Sequence, residues 1–192
     1  MESLVRAAVI RYQFEHGAGL ERTYGAIRTE RNLGFLWTAD LFALLGTYEN
    51  SRTIYPTFGS FFPLIVGYLK DLSGRIDYMA KTVEEMGPHV VAMSPFANGT
   101  QDVDPNITSL TFTFDKPLDA TAGYSFNAGS GGSEHFPMDK ATGYGENGGT
   151  FTIQVKLKPD WDYELVLTAR AFRSTDGYAL QPYVVKFKTR KQ

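Results

Sequence analysis

The chain has 192 residues, of which 43% are hydrophobic, and its formal net charge is -2. This length allows one large or two small domains with a real hydrophobic core. Basic and acidic residues are balanced in both halves, nine against ten up to Pro88 and ten against eleven after it. Because no basic stripe is present to neutralise phosphates, the sequence predicts no nucleic-acid partner.

The sequence contains no cysteine, which excludes disulfides, thiolate zinc sites and a cysteine nucleophile. It has no run of about 18 apolar residues, so no segment is expected to span a membrane. A signal peptide would show a basic region, an apolar stretch and a small-residue cleavage site. The first ten residues instead read as an amphipathic helix. We therefore expect the chain to begin inside a larger or processed protein.

Up to Pro88, apolar residues recur at three- and four-residue steps, which predicts helices. The predicted helices run from Glu2 to about His16, from Leu20 to Arg31, from Leu33 to about Asn50, from Ser60 to Lys70 and from Ser73 to Met86. Ser60 is the predicted N-cap of the fourth helix, with Pro63 in its first turn. In the last helix the side chains predicted to face inward are Ile76, Met79 or Ala80, Val83 and Met86.

After Pro88 the hydrophobic period changes to two, which predicts strands with one buried face. The predicted strands are Val90–Met93, Ile107–Phe114, Tyr124–Phe126, Thr150–Leu157, Tyr163–Ala169 and Tyr183–Thr189. Between Gly129 and Gly149 the many glycines predict one or two long, mobile hairpin loops, without a strand of the core.

Several motifs of the last hundred residues point to a known family. They are Pro95, Gly99-x-x-Asp102-Val-Asp-Pro-Asn106, Leu110-Thr-Phe-Thr-Phe-Asp-Lys-Pro-Leu-Asp119, Leu157-Lys-Pro159, Tyr163-x-Leu165, Asp176-Gly177, Leu180 and Phe187-Lys-Thr189. This part resembles the bacterial Ig-like domains of surface-layer proteins. The resemblance implies an antiparallel β-sandwich of the seven-strand type. It also implies a domain without enzymatic activity, which spaces, supports or docks its neighbours on secreted and cell-surface proteins.

The helical half resembles a second family. The matching segments are Glu2-Ser-Leu-Val-Arg-Ala, Gly34-Phe-Leu-Trp37 and Tyr48-Glu-Asn-Ser-Arg-Thr-Ile-Tyr55. They are similar to the rear part of secreted bacterial zincin-like proteins of unknown function, in which a zinc-binding HExxH helix lies upstream and an Ig-like domain can follow. This chain contains no HExxH. Together the likenesses predict a helical domain, or the rear part of a larger catalytic-type domain, over 1–88 and an Ig-like sandwich over 89–192.

Glu2 is the candidate metal ligand. In gluzincin-type sites a glutamate from a later helix joins two histidines, which leaves one zinc position open. Arg6, one helical turn further on, would orient that carboxylate. The alternative is a first-turn glutamate favoured by the helix dipole and paired with Arg6. No cofactor is predicted within this chain, and zinc is predicted only for a longer parent protein.

Arg52 and Tyr55 are the candidate catalytic residues. With Tyr48 and Glu49 they lie between a predicted helix end and a loop, where an arginine or tyrosine could stabilise an oxyanion in a cleft. The alternative is a polar contact between domains.

For the remaining candidate functional residues, ordinary structural roles are the alternative. His16, His89 and His135 are scattered and predict no metal role. Asp102 to Asn106 resembles the start of a calcium loop but lacks its later glycine and glutamate, so a tight turn is predicted. Five aromatic residues would form a sugar-stacking platform if they shared a face, and would otherwise belong to the core. They are Tyr124, Phe126, Tyr144, Trp161 and Tyr178.

These observations favour the non-catalytic C-terminal portion of a larger peptidase-like bacterial protein that is secreted, periplasmic or on the cell surface. Its partner would be a neighbouring domain or a protein surface. Two alternatives stay open. The chain could contribute a glutamate to a zinc metallopeptidase site completed by residues outside it. It could also be a carbohydrate- or protein-binding module.

Overall fold

A computed structural model describes residues 2–191 of the chain. The chain divides into two compact units, the helical unit Met1–Val83 and the β unit Glu84–Gln192. The helices precede the strands, which confirms the predicted α-then-β architecture. The predicted domain limits, 1–88 and 89–192, stay a prediction.

Three of the helices build the core of the helical unit. The helices are α1 Glu2–Glu15, α2 Leu20–Asn32, α3 Thr38–Asn50, α4 Phe58–Ser73 and α5 Ile76–Met86. Their buried cluster consists of Ala7 of α1, Leu41 and Leu45 of α3, and Phe61 and Ile65 of α4. Residues three and four apart lie on one face of a helix, so each of these helices contributes a stripe to the core.

Helix α3 begins at Thr38, so the prediction that it opens at Leu33 was wrong. Gly34 has a φ of +94°, a backbone conformation that favours glycine. Its N–H donates to the carbonyl of Arg31, and the next N–H, of Phe35, donates to Glu30. This pair of bonds ends α2 in the manner of a Schellman motif. The apolar residues after Gly34 therefore form a turn before the next helix begins.

Helix α4 begins at Phe58, and its N-cap is Thr57 rather than the predicted Ser60. Thr57 Oγ1 accepts from the Ser60 N–H at 3.2 Å, and Ser60 Oγ accepts from the Thr57 N–H at 3.4 Å. The sequence predicted Pro63 within the first turn of α4. With Thr57 as the N-cap in this reciprocal capping, Pro63 instead lies beyond the first turn. The helix is apolar but has only 16 residues. Within residues 2–191, no helix is both long and apolar enough to cross a bilayer.

The prediction of an inward-facing stripe on α5 was wrong, because none of the side chains of α5 is buried. Ile76 is 38% exposed and Met86 40% exposed. A helical period shows which residues share a face, but it does not show that another element of the same chain covers that face.

The β unit contains two antiparallel sheets. The strands are β1 Val90–Ser94, β2 Ser109–Phe114, β3 Phe126–Ala128, β4 Met138–Tyr144, β5 Thr150–Val155, β6 Asp162–Leu167 and β7 Tyr183–Lys188. One sheet has the order β1-β2-β5-β4 and the other the order β3-β6-β7. This arrangement confirms the predicted antiparallel sandwich.

The core of the β unit lies between the inward faces of the two sheets. Alternate residues of the central strands are buried, as the two-residue period predicted. They include Leu110, Phe112 and Phe114 of β2, Phe151, Ile153 and Val155 of β5, and Tyr163, Leu165 and Leu167 of β6. The cluster also includes Phe172 and Leu180, which lie between β6 and β7 in sequence.

The segment between Gly129 and Gly149 contains β4, so the prediction that it carries no core strand was wrong. β4 pairs with β5, and its register shifts between Met138 and Lys140 and again between Ala141 and Gly143. Such irregularities insert an extra residue into one strand. Met138, Ala141 and Tyr144, which pack against the core, therefore recur every three residues, and the two-residue period is lost.

Candidate functional site

A cavity of about 510 Å³ lies in the helical unit, beside α1, α3 and the turn that follows α3. We call it the helical cavity. Its apolar lining comes from Leu4, Val5, Ala8, Leu45 and Phe58. Tyr48, Glu49 and Arg52 of the predicted catalytic cluster also line it. The volume lies within the roughly 300–1,000 Å³ that is typical of small-molecule sites.

Arg11 of α1 connects the charged groups of the helical cavity. Its side chain is only 14% exposed, and its Nε donates to Oε2 of Glu49 on α3 at 2.7 Å. Its Nη2 also donates to the carboxylate of Glu15, one turn further along α1. The guanidinium lies 5.2 Å and 5.0 Å from the ring centres of Phe14 and Phe42. One arginine thus bonds to both carboxylates that line the cavity, and the three groups together keep one negative charge.

Gly46 of α3 lies against the guanidinium of Arg11. A Cβ atom on Gly46 would lie 2.9 Å from Nη1 of Arg11, closer than real Cβ contacts allow. Glycine inside a helix costs about 0.5–1 kcal/mol relative to alanine. At this position the absent side chain leaves room for the end of the flexible Arg11 side chain.

Arg52 is the second cation of the helical cavity. Its guanidinium lies 4.6 Å from the ring centre of Tyr48, and its Nη2 donates to the carbonyl of Pro56 at 3.0 Å. No carboxylate of residues 2–191 forms an ion pair with Arg52. A guanidinium has five N–H donors, so Arg52 retains donors for a bound anion.

Tyr55 lies outside the lining of the helical cavity. Its ring packs edge-on against Phe61, with the ring centres 5.1 Å apart. The structure therefore brings Arg52 together with Tyr48 and Glu49, while Tyr55 packs on the helical core. A catalytic role for Arg52 or Tyr55 stays a prediction.

Glu2 and Arg6 form the predicted pair in the first turn of α1. Glu2 Oε1 accepts from Nε and Nη2 of Arg6, at 3.1 Å and 2.7 Å. Arg6 also donates to Oε2 of Glu30 at 2.7 Å and lies over the ring of Phe35. These hydrogen bonds to two carboxylates raise the pKa of Arg6. The Glu2 side chain is 68% exposed, so it could contact a group outside the chain.

Among the described residues, the candidate metal-ligating side chains do not form a cluster. Between residues 2 and 191, no three His, Asp or Glu side chains lie close enough to hold an ion. His16 Nδ1 donates to the carbonyl of Tyr12, His89 contacts Asp115, and His135 Nδ1 donates to the carbonyl of Asp162. A zinc ion at Glu2 would need further ligands from outside the described chain.

Comparison with protein families identifies the β unit. The profile of the family described as "Bacterial Ig-like domain" matches residues 84–189, more than half of the chain. The chain belongs to the bacterial Ig-like domain family. The Ig-like domain is therefore the β unit, as the resemblance of its turns and strands implied. No comparison supports the likeness of residues 1–88 to zincin-like proteins, which stays a prediction.

Two solved structures show only a remote similarity to this chain. The S-layer protein rSbsC(31-844) shares 15% identity with a TM-score of 0.38, and the match covers 99% of this chain and 22% of that one. CopC from Methylosinus trichosporium OB3b shares 14% identity with a TM-score of 0.40, over 55% of this chain and 95% of that one. The chain thus spans about a fifth of the S-layer protein. No curated protein sequence matches it significantly.

The aromatic residues proposed as a sugar platform contact different groups of the Ig-like domain. Tyr124, Phe126 and Tyr144 each lie against the ring of Phe151. Trp161 instead stacks on the ring of His135, with the ring centres 5.2 Å apart. These contacts favour the alternative in which most of these rings pack on the core.

The Ig-like domain has a polar hollow of about 360 Å³ beside β6 and β7. Glu164 Oε2 accepts from the N–H and the hydroxyl of Ser130, at 3.1 Å and 2.8 Å, and Oε1 lies 3.3 Å from Nζ of Lys186. The bonds from Ser130 lower the pKa of Glu164. Asp162 also lines the hollow, and its backbone carbonyl accepts from His135.

The turn before β2 confirms the prediction made for Asp102 to Asn106. Asp104 Oδ1 accepts from the backbone N–H of Asn106 at 2.9 Å, and Oδ2 bonds to Arg190. The bond from Asn106 lowers the pKa of Asp104. The carboxylate thus stabilises a turn and the C-terminal end of the domain.

Arg11 is the residue of the helical cavity that sequence reasoning missed. Its spacing of four from Glu15 is a helical ion-pair signal that was available in the sequence. Its bond to Glu49 joins residues 38 positions apart, and no local pattern indicates such a contact.

Proposed function

We propose that this chain is an accessory portion of a larger secreted or cell-surface protein, in which the Ig-like domain spaces or docks its neighbours and the helical unit supports them. The observation that supports this proposal is the family match over residues 84–189, which form a sandwich with its own hydrophobic core.

A neighbouring protein domain is the partner that we propose. Most of the large apolar side chains that remain exposed among the described residues lie in the helices. Three of them line one hollow, namely Phe62 at 38%, Leu69 at 39% and Ile76 at 38%. Contiguous exposed apolar surface is typical of contact sites. The separate contacts of Tyr144 and Trp161 support a protein partner over a glycan.

The location of the protein in its bacterium tests this proposal. We expect an antibody against the Ig-like domain to detect the full-length protein in the envelope or the medium. If it is on the surface, protease added to intact cells should remove the signal, while a cytoplasmic marker protein stays intact. Recovery of the protein with the cytoplasmic marker, protected from protease, would contradict the proposal.

The second candidate function is that Glu2 serves as one ligand of a zinc site completed by residues outside this chain. The observation that favours it is the exposed carboxylate of Glu2, which accepts hydrogen bonds from Arg6. Arg6 is held in turn by its hydrogen bond to Glu30. Metal-binding side chains are commonly oriented by such a supporting layer of hydrogen bonds. Zinc at that position would act as a Lewis acid on a carbonyl group.

Metal analysis of the full-length protein tests the second candidate. We expect Glu2→Gln to lower the bound zinc from about one equivalent to a small fraction, because the amide is a far weaker ligand than the carboxylate. Glu21→Gln is the matched control, since Glu21 also lies in the first turn of a helix. The same zinc content in both variants would remove Glu2 from the site.

A further inference from the structure

The segment from Gly129 to His135 belongs to the connection between β3 in one sheet and β4 in the other. We call it the strap. Ser130, Gly131 and His135 of the strap form one side of the polar hollow. Three residues of the strap are glycines, which lose more conformational freedom than other residues when they become ordered. The closed position of the strap therefore depends on specific contacts.

Glu164 of β6 makes the charged contact with the strap. Its Oε2 accepts from the N–H and the hydroxyl of Ser130, at 3.1 Å and 2.8 Å, and its Oε1 lies 3.3 Å from Nζ of Lys186. A Cβ atom on Gly129 would lie 2.0 Å from Cδ of Glu164, so glycine allows the strap to approach this carboxylate. Hydrogen bonds to an ionised group are roughly twice as strong as neutral ones.

The other end of the strap is held by neutral groups. His135 Nδ1 donates to the carbonyl of Asp162 at 2.6 Å, and the indole N–H of Trp161 donates to the carbonyl of Glu134 at 3.3 Å. The rings of His135 and Trp161 also stack. Each of these bonds ends on a backbone carbonyl, so each is weaker than a bond to the Glu164 carboxylate.

We propose that Glu164 is an acid-sensitive latch, which holds the strap closed over the polar hollow while it is ionised and releases the strap when it is protonated. A protonated carboxyl group no longer attracts Lys186 and is a weaker acceptor for Ser130. This device goes beyond the proposed accessory function and does not depend on it, because all of its residues belong to the Ig-like domain.

The direction of the pH dependence follows from the bonds of Glu164. The bonds from Ser130 lower the pKa of Glu164 below its ordinary value of 4.5. The stabilisation by the ionised carboxylate is therefore fully present above pH 4.5 and is lost as the pH falls through the lowered pKa.

The other titratable groups of the hollow do not reproduce this effect. They are His135, Asp162, Tyr163 and Lys186. Acidification leaves lysine charged and tyrosine neutral. The strap bonds to the backbone carbonyl of Asp162, so protonation of that side chain breaks none of the bonds described above. A protonated imidazole still donates from Nδ1, so His135 keeps its bond as well.

Digestion of the full chain at neutral pH, with a protease that cleaves after glutamate, tests the latch. Mass spectrometry measures the cleavage after Glu134 in the strap. We expect Glu164→Gln to raise this rate about tenfold, because the loss of the charged bonds raises the population of the open strap. Asp139→Asn should leave the rate unchanged. It is the matched control, since Asp139 is also a strand carboxylate beside a lysine, 2.9 Å from Nζ of Lys156.

Acrylamide quenching of Trp161 fluorescence tests the response to acid. In a Trp37→Phe background Trp161 is the remaining tryptophan of the full chain. We expect quenching to increase in a step as the pH falls below 4.5, because release of the strap removes His135 and Glu134 from the indole. In Glu164→Gln quenching should already be high at neutral pH, without that step.

Far-UV circular dichroism shows whether each variant is folded. Gly129→Ala is the second variant, because its Cβ atom would displace the Glu164 carboxylate from Ser130. Equal cleavage rates in Glu164→Gln and Asp139→Asn would overturn the proposal, as would unchanged cleavage of a folded Gly129→Ala variant. An acid step that persists in Glu164→Gln, or that coincides with loss of the far-UV signal, would overturn it as well.

Discussion

Phe172→Ala is expected to destabilise the Ig-like domain by about 3–5 kcal/mol, because it removes a large side chain from a closed core. Phe172 is fully buried. Four aromatic rings surround it with ring centres 5.2 to 6.2 Å away, namely Phe114, Phe126, Tyr144 and Phe151. These rings come from four strands, so the surrounding structure can collapse only partly into the space.

Urea unfolding followed by tryptophan fluorescence measures this loss. The chain has two tryptophans, Trp37 in the helical unit and Trp161 in the Ig-like domain. A Trp37→Phe background leaves Trp161 to report on the Ig-like domain. The substitution removes no hydrogen bond, because the buried indole N–H of Trp37 has no acceptor among the described residues. Val184→Ala, at a side chain 43% exposed on β7, is the control with an expected loss below about 1 kcal/mol. Equal losses in the two variants would contradict the packing argument.

Gly148→Ala is expected to destabilise the Ig-like domain by about 2–4 kcal/mol, through backbone strain and overpacking together. Gly148 has a φ of +68°, which an alanine adopts only at a cost. A Cβ atom would also lie 2.2 Å from the carbonyl oxygen of Leu118. The N–H of Leu118 donates to the carbonyl of Gly148 at 3.0 Å, so the two segments cannot separate without losing that bond.

Gly149→Ala is the matched control for this position. Gly149 has a φ of -74°, and a Cβ atom there would meet no atom within 4 Å. Alanine should therefore be neutral, or should stabilise the domain by about 0.4–1 kcal/mol by restricting the unfolded chain. The same fluorescence measurement compares the two variants. Similar stabilities for Gly148→Ala and Gly149→Ala would show that the close approach to Leu118 is not a real constraint.

The strands of the sandwich could be predicted because their signal is local. Leu110, Phe112 and Phe114 alternate with polar residues, and the same alternation in β5 and β6 places each buried face within five or six residues of sequence. β4 could not be predicted in this way, because its two register shifts exist only through its pairing with β5.

The candidate site was predictable only in part. Tyr48, Glu49 and Arg52 could be grouped from sequence because they lie within one helical turn and the residues that follow it. Arg11 comes from another helix, and its bond to Glu49 joins residues 38 positions apart. Sequence reasoning also grouped Tyr55 with Arg52, although Tyr55 packs on Phe61 instead.

The sequence by itself determined the change from helix to strand near Pro88, the buried faces of the central strands and the family of the second half, because each depends on residues that are close together in the chain. Only the tertiary structure decided the bond between Arg11 and Glu49 and the exposure of α5. These properties depend on which distant segment packs alongside, and residue spacing carries no information about that choice.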